Sequence, residues 1–287
     1  MKKAIGTMLA LAAALCALTG CAGGEWDAER SIDVVSREDG SGTRGSFIEL
    51  FGIQQTGENG SKKDMTTKEA VIAKQTDIMM MNISGDRYAV GYTSLGSLNE
   101  TVRAVKIDGV APSGASVKYG TYAVARPYYI ATRGAPTGAA RDFIDFILSS
   151  DGQAVAAKNY VSIDDDAPSY TPSGLTGKIV VAGSTSVTPL MEKLKEAYIA
   201  KNPGVKIEIQ QSDSSAGMAD TASGVCDIGM SSRDLKAGEL ETLTPIQIAL
   251  DGIAVVVNND NPVTNLTTAQ VRAIFTGGAE KWSEVTG

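Results

Sequence analysis

The chain has 287 residues, 43% of them hydrophobic and 21% charged, which suits a soluble globular protein of one large or two modest domains. A net charge of −7 argues against a nucleic-acid binder, because such proteins need a basic face. Histidine is absent, which removes Ser-His-Asp and Cys-His arrangements, most zinc sites and the usual base near neutral pH.

The chain begins with Lys2 and Lys3 followed by an apolar run, AIGTMLALAAALCALTG at 4–20, so residues 1–20 read as a targeting segment. Its end, LTGC at 18–21, has the form of a lipobox in which Cys21 becomes the lipidated N-terminus. An ordinary signal peptide ending beside a cysteine is the plainer alternative. The apolar run is short and polar sequence follows, which disfavours a spanning helix. Residues 21–32 read as a polar tether. With Cys16 removed and Cys21 lipidated, Cys226 is left alone in the apolar stretch SGVCDIGM, as a buried, inert thiol.

Beyond the tether, β-branched runs predict strands at 32–35, 89–95, 101–108, 128–132, 178–183, 205–210, 227–231 and 252–258. Helical patterns fall at 67–75, 138–150, 151–160 and 188–201. In the last of these, Leu190, Leu194, Ala197 and Tyr198 share one face and Asn202-Pro203-Gly204 ends the helix. This alternation is that of an α/β protein. Residues 161–177, VSIDDDAPSYTPSGLTG, have no periodicity and read as a surface linker.

Four hydroxyl-rich turns stand at strand ends: SREDGSGTRGSF at 36–47, GSTS at 183–186, QSDSSAGMAD at 211–220 and GMSSRDL at 229–235. None is a Walker A loop or a G-x-G-x-x-G turn. Helix N-termini carry unpaired N–H groups and partial positive charge, so such turns can hold an anion; simple N-capping is the competing explanation. In open α/β sheets, ligands sit beyond the carboxyl ends of strands.

Taken together, SREDGSGTRGSF, AGSTSVTPLMEKLKEAY, SDSSAGMADTASGVCDIGMSSRDL, DGIAVVVN and LTTAQVRAIFTGGAEKWSEV resemble the PstS-type phosphate-binding proteins of ABC importers. The resemblance runs from about residue 33 to 287, apart from the linker. It implies an α/β, two-lobed periplasmic-binding-protein-like fold (type II) with hinge strands between lobes that close over one phosphate. It assigns phosphate contacts to Arg37, Asp39, Ser41, Gly42 and Thr43, and to Ser184, Thr185, Ser186, Ser214 and Ser215. The match departs at Ser232, where some members place a carboxylate, and Arg233 beside it is expected to pair with Asp234. Arg37 can offer a bidentate fork to phosphate oxygens, although an ion pair with Glu38 or Asp39 is the usual fate of such a charge. Asp39 is expected to accept the proton of hydrogen phosphate and so to exclude sulfate, which has none to give.

The order of these motifs differs from the family's: the segment ending KWSEVTG closes the chain and its usual continuation opens it. This implies a circular permutation, with 161–177 joining the former ends. One lobe would comprise 33–123 plus 256–287 and the other 124–255. A rival arrangement is a swapped dimer of the same segments; the expectation here is a monomer. The implied function is a lipid-anchored, extracytoplasmic, non-catalytic receptor without a cofactor, delivering inorganic phosphate to ABC permease subunits. A sensor for another protonated oxyanion or a phosphorylated metabolite is the alternative. A secreted phosphatase using Ser41 or Ser184 is the weaker one, since no histidine base is present.

Overall fold

The computed structural model describes residues 25–58 and 60–286. The targeting segment 1–20 and the lipidation site Cys21 lie outside the described residues. In chain order, the first part contains strand β1 (Asp33–Arg37), helix α1 (Gly42–Leu50), a hairpin of β2 (Gln54–Thr56) and β3 (Lys62–Asp64), then β4 (Val71–Ala73), α2 (Thr76–Gly85) and β5 (Ala89–Ser94). Short strands β6 (Arg103–Ala104) and β7 (Lys106–Ile107) and helix α3 (Gly114–Lys118) follow. The middle holds β8 (Ala125–Thr132), α4 (Gly138–Leu148), α5 (Ser150–Ala156), β9 (Gly177–Ser184), α6 (Thr188–Lys201), β10 (Val205–Ser212), α7 (Ser214–Ser223) and β11 (Ile228–Ser231). The chain then runs through α8 (Ala237–Leu240), β12 (Thr244–Val257), β13 (Asn265–Leu266) and α9 (Thr268–Thr276).

The long strand β12 organises the molecule. Its Thr244–Gly252 portion pairs antiparallel with β8, and Ile253–Val257 pairs antiparallel with β5. On the β8 side the order is β10-β9-β11-β8-β12, and on the β5 side it is β12-β5-β1-β4. Two large apolar cores result, beside a small buried group of Ala131, Met218, Leu235 and Leu243. One gathers Val35, Phe47, Phe51, Met79, Tyr92, Phe275 and Trp282, and the other gathers Phe143, Phe146, Ile179, Leu190, Leu194 and Tyr198. These are the two lobes, bridged by β8 and β12. Ile253, Ala254 and Val255 pack in the first core, whereas the sequence boundary at 255/256 put them in the second lobe. The reason is that β12 changes partner from β8 to β5 at Gly252/Ile253.

Helices 138–148 and 188–201 form where periodicity predicts them, with Leu190, Leu194 and Tyr198 buried. The stretch 67–75 is not a helix. Its Val71-Ile72-Ala73 instead adds a parallel edge strand along Val35–Arg37, because the β1 ladder leaves an open edge that β-branched residues fit. Nor does the described part of the tether hang free. Trp26 stacks on Tyr88 at 4.9 Å and meets Trp282 edge-on at 5.8 Å. Ile32 N–H donates to the Glu280 carbonyl (2.8 Å) and Ser283 N–H to that of Ala28 (2.7 Å), so residues 28–32 lie alongside 280–283. The linker 161–177 connects α5 to β9; Val161 at its start packs in the first core and pairs with Leu250 of β12, and its later part runs along the second lobe. It is pinned there by Tyr170, whose hydroxyl donates to Asp142 Oδ2 at 2.6 Å. No helix among the described residues is long and apolar enough to cross a membrane.

Candidate functional site

Four strand-to-helix turns from the two lobes meet at the carboxyl ends of β1, β9, β10 and β11. In the first lobe, β1 ends at Arg37, whose backbone N–H donates to the Tyr92 hydroxyl (3.0 Å). The Ser36 hydroxyl holds the same oxygen at 2.9 Å, and Phe47 stacks on the Tyr92 ring at 3.8 Å. Ser41 caps α1 by accepting the Arg44 N–H, so Gly42 and Thr43 open the helix. In the second lobe, Asp213 caps α7 by accepting the Ala216 N–H (2.8 Å). Close approach of α7 to β9 depends on two glycines. A Cβ on Gly217 would lie 2.5 Å from Gly183 Cα, and Gly183 itself has φ 130°. That approach brings Ser184, Ser214 and Ser232 into one group.

The side chains converge on a buried cluster that spans the lobes. Ser184 Oγ donates to Ser232 Oγ at 2.9 Å, and the Ser232 N–H donates to Ser214 Oγ at 3.1 Å. Across the interface, Thr43 Oγ1 and Ser186 Oγ are 2.7 Å apart. Thr76 Oγ1 lies 3.2 Å from both Thr185 Oγ1 and Ser186 Oγ. Arg37, only 2% exposed, uses both edges of its guanidinium. Nε and Nη2 donate to the two oxygens of Glu38 at 2.8 and 2.7 Å. The end-on edge points into the cluster, with Nη1 donating to Thr76 and Nη2 to Thr185, each at 3.1 Å. Direct hydroxyl-to-hydroxyl bonds between lobes mean that the lobes are closed on each other.

Of the residues singled out on sequence, Arg37, Gly42, Thr43, Ser184, Thr185, Ser186, Ser214 and Ser232 share this cluster, and Ser41 is buried beside them as the α1 cap. Asp39 is not in it. Its side chain is 96% exposed and sits 3.1 Å from Arg44, because the α1 turn aims residues 37 and 41–43 inward and residue 39 outward. Ser215 stands at the rim, where its hydroxyl accepts from Arg233 Nη2 (3.1 Å) and its N–H from across the interface meets the Gly40 carbonyl (3.3 Å). Arg233 pairs with both oxygens of Glu239 at 2.8 and 2.9 Å and touches only the backbone carbonyl of Asp234, so the expected Arg233–Asp234 bridge is replaced. The helix α8 places Glu239 over the guanidinium, while the adjacent residue's carboxylate does not reach it. Thr76 was missed, because reading 67–75 as helix placed it at a helix end and not at the start of α2. Cys226 is buried, 3.3 Å from Thr221 Oγ1, and burial pushes its thiol pKa up, as befits an inert thiol.

Beneath the cluster lies the hinge. Arg126 of β8 and Asp251 of β12 face each other in register and form a buried ion pair at 3.2 Å. Arg126 Nη1 also donates to the Ser232 carbonyl (3.0 Å), and Asp251 accepts the Gly96 N–H (3.2 Å). The Tyr128 hydroxyl lies 2.8 Å from Ser94 Oγ in one lobe and 3.0 Å from the Ser186 carbonyl in the other. Burial raises the Asp251 pKa, and the Arg126 charge opposes that rise. The hinge strands are thus hydrogen-bonded to the Ser186 and Ser232 turns.

Comparison with known proteins agrees with this architecture. Residues 14–151 and 168–287 match the family model described as a PBP superfamily domain. Phosphate-binding protein PstS 2 of Streptococcus agalactiae serotype V is 48% identical over 272 residues, covering 93% of this chain and 92% of that protein. PstS 2 of Streptococcus pneumoniae serotype 4 is 44% identical over 260 residues, covering 90% and 89%. The crystal structure of a phosphate-binding protein of a phosphate ABC transporter from S. pneumoniae TIGR4 superposes with a TM-score of 0.71 at 43% identity, covering 89% of this chain and all of that one. With two lobes hinged on β8 and β12, and identity of this extent, the chain belongs to the PstS phosphate-binding proteins of the PBP superfamily.

Proposed function

We propose that the chain is an extracytoplasmic receptor that captures inorganic phosphate between its lobes and delivers it to the permease subunits of an ABC importer. The observation that carries this is the cross-lobe cluster, in which the end-on fork of Arg37, Thr43 and Thr76 meet Ser184, Thr185, Ser186, Ser214 and Ser232. A bound oxyanion would replace hydroxyl-to-hydroxyl bonds with charge-assisted ones, which are roughly twice as strong, and so would favour the closed state. The N-termini of α1, α6 and α7 point at the same region and add N–H donors and partial positive charge. The phosphate contacts are then Arg37, Ser41, Gly42, Thr43, Thr76, Ser184–Ser186, Ser214 and Ser232, with Asp39 and Ser215 outside.

The role is binding without catalysis, in keeping with relatives named as phosphate-binding proteins and with a chain lacking histidine. Cys21 is the proposed lipid anchor, and the receptor acts as a monomer. The segment order is shared with PstS 2 of Streptococcus agalactiae, which aligns along 93% of this chain and 92% of its own length; that it is a circular permutation relative to other members is a proposal, favoured by the pairing of 28–32 with 280–283, where a short join would give the other order. Calorimetric titration of the purified protein tests the reading: one phosphate per chain is expected, with binding lost in Arg37→Ala. Near-normal phosphate affinity in that variant would refute the site, and a dimeric mass would refute the monomer.

A further inference from the structure

We infer that Arg233 restricts the site to free phosphate: its side chain walls off the cluster from an outer pocket and so keeps phosphate monoesters out. The inference rests on the phosphate-site reading above. An ester carries a carbon group on one phosphate oxygen, and it can be held only where the wall around the anion leaves an opening for that group. Arg233 follows Ser232 in the turn between β11 and α8 and is 9% exposed. Its aliphatic stem lies on the first turns of α1, in the other lobe, where two glycines receive it. A Cβ on Gly42 would lie 3.1 Å from Arg233 Cγ, and one on Gly45 would lie 3.6 Å from its Cδ. The same point on Gly42 is 2.4 Å from Ser214 Oγ and 2.7 Å from Ser232 Oγ, so the stem borders the cluster itself.

The guanidinium fixes the stem in this position. Nη1 donates to Glu239 Oε2 (2.9 Å) and to the Asp234 carbonyl (2.8 Å), while Nη2 donates to Glu239 Oε1 (2.8 Å) and Ser215 Oγ (3.1 Å). A two-pronged pair with a carboxylate sets direction as well as strength, so the stem does not swing freely. Beyond it lies an open pocket of about 450 Å³, lined by Arg44, Gln54, Lys62, Asp64 and Lys236. Ser41, Gly45 and Arg233 line the same pocket, and Ser41 is buried beside the cluster. At Arg233 a single side chain therefore separates the cluster from a space that has room and polar partners for a small hydroxylated substituent. With the stem in place, a substituent on the anion meets packed atoms and not that space.

The test is calorimetry of the purified protein with inorganic phosphate, methyl phosphate and glycerol 3-phosphate. Extra bulk forced into a packed site weakens binding by about 5- to 150-fold, so the wild type should bind methyl phosphate at least about fiftyfold more weakly than phosphate, and glycerol 3-phosphate more weakly still. Arg233→Ala opens the wall and should narrow both ratios by at least about tenfold, even if phosphate itself binds less tightly. Arg233→Met keeps the stem and drops the charge, and should keep the ratios. Should the alanine variant fail to fold, Glu239→Ala frees the guanidinium from the surface helix α8 and should narrow the ratios by at least about threefold. Wild-type protein that binds methyl phosphate as tightly as phosphate would overturn the inference while leaving the phosphate site intact. So would unchanged ratios in Arg233→Ala, or in Glu239→Ala where that variant stands in for it, because Arg233 would then be structural only. Esters admitted by Arg233→Met as freely as by Arg233→Ala would overturn it too, since the charge and not the stem would be excluding them. Wild-type protein that does not bind phosphate would instead overturn the site reading itself.

Discussion

Gly42→Ala separates closure of the lobes from folding of either one. A Cβ at this position would lie 2.4 Å from Ser214 Oγ, 2.7 Å from Ser232 Oγ and 3.1 Å from Arg233 Cγ, and all three atoms belong to the other lobe. Ordinary contact begins at 3.4 Å, so the lobes must part by about 1 Å or the serines must turn away. The serines are held, since Ser214 Oγ takes the Ser232 N–H and Ser232 Oγ takes the Ser184 hydroxyl. Overpacking of this kind costs about 1–3 kcal/mol, and charging it to the closed state alone lowers ligand affinity by about 5- to 150-fold. The fold of the first lobe should not suffer, because alanine at the start of α1 favours the helix by up to about 1 kcal/mol. Calorimetry and thermal melting read the two effects apart: the unliganded Tm should hold or rise while the phosphate-induced shift shrinks. Gly217→Ala is the contrast, because its Cβ would meet Gly183 within the same lobe and should lower the unliganded Tm. Unchanged phosphate affinity in Gly42→Ala would refute the closed geometry.

Asp39→Asn should leave phosphate affinity within a few-fold of wild type by calorimetry, since an exposed pair such as Asp39–Arg44 contributes about 0–1 kcal/mol. Arg126→Met should destabilise the protein by about 3–5 kcal/mol in denaturant melts, because it strands the buried Asp251 carboxylate. The sign with pH follows from burial raising Asp251: the folded state holds the proton better than the unfolded chain, so this group's contribution to stability falls as pH rises through the raised pKa and is regained on acidification. Removing Arg126 pushes the pKa further up, so the deficit of the variant should narrow as pH falls. A chain reopened between Ser173 and Gly174, with residue 286 joined to 28 by a short linker, should fold and bind phosphate with wild-type affinity, as both the break and the join lie in surface backbone. Failure of that chain to fold would count against the permutation.

How much of this was legible in the sequence depended on the range of the interaction. Helix α6 and strands β9 and β10 were readable because their patterns are local and strong, with Leu190, Leu194 and Tyr198 on one face. The edge strand Val71–Ala73 was not, because only the open β1 ladder decides between helix and strand for VIA. The hydroxyl turns were legible through strand-to-helix punctuation and family resemblance. Their directions were not. Asp39 sits within two residues of Arg37, yet the turn that buries one exposes the other, and no pattern in REDGSGT encodes that. Glu239, six residues on from Arg233, reaches it only because α8 turns back over the guanidinium, and Thr76 opens a helix that the pattern places at 67–75. The Arg126–Asp251 pair depends on a register between strands 125 residues apart, which sequence spacing cannot supply.

On the same ground of range, the site is expected to tolerate a change in segment order. Each hydroxyl turn of the cluster is set by its own strand and helix: β1 with α1, β9 with α6, and β10 with α7. Their hydroxyls are aimed by local caps and by close glycine packing, as at Gly183 and Gly217, and not by where the chain happens to begin. What must be conserved through a permutation is the pairing of β8 with β12, since those strands carry the relation between lobes and reach both the Ser186 and the Ser232 turns. Both strands lie well inside the chain in this order, and neither is cut by a join at 28 and 286 or a break at 173. Closure therefore depends on the hinge strands and the hydroxyl turns together, while the order of segments is free to vary around them.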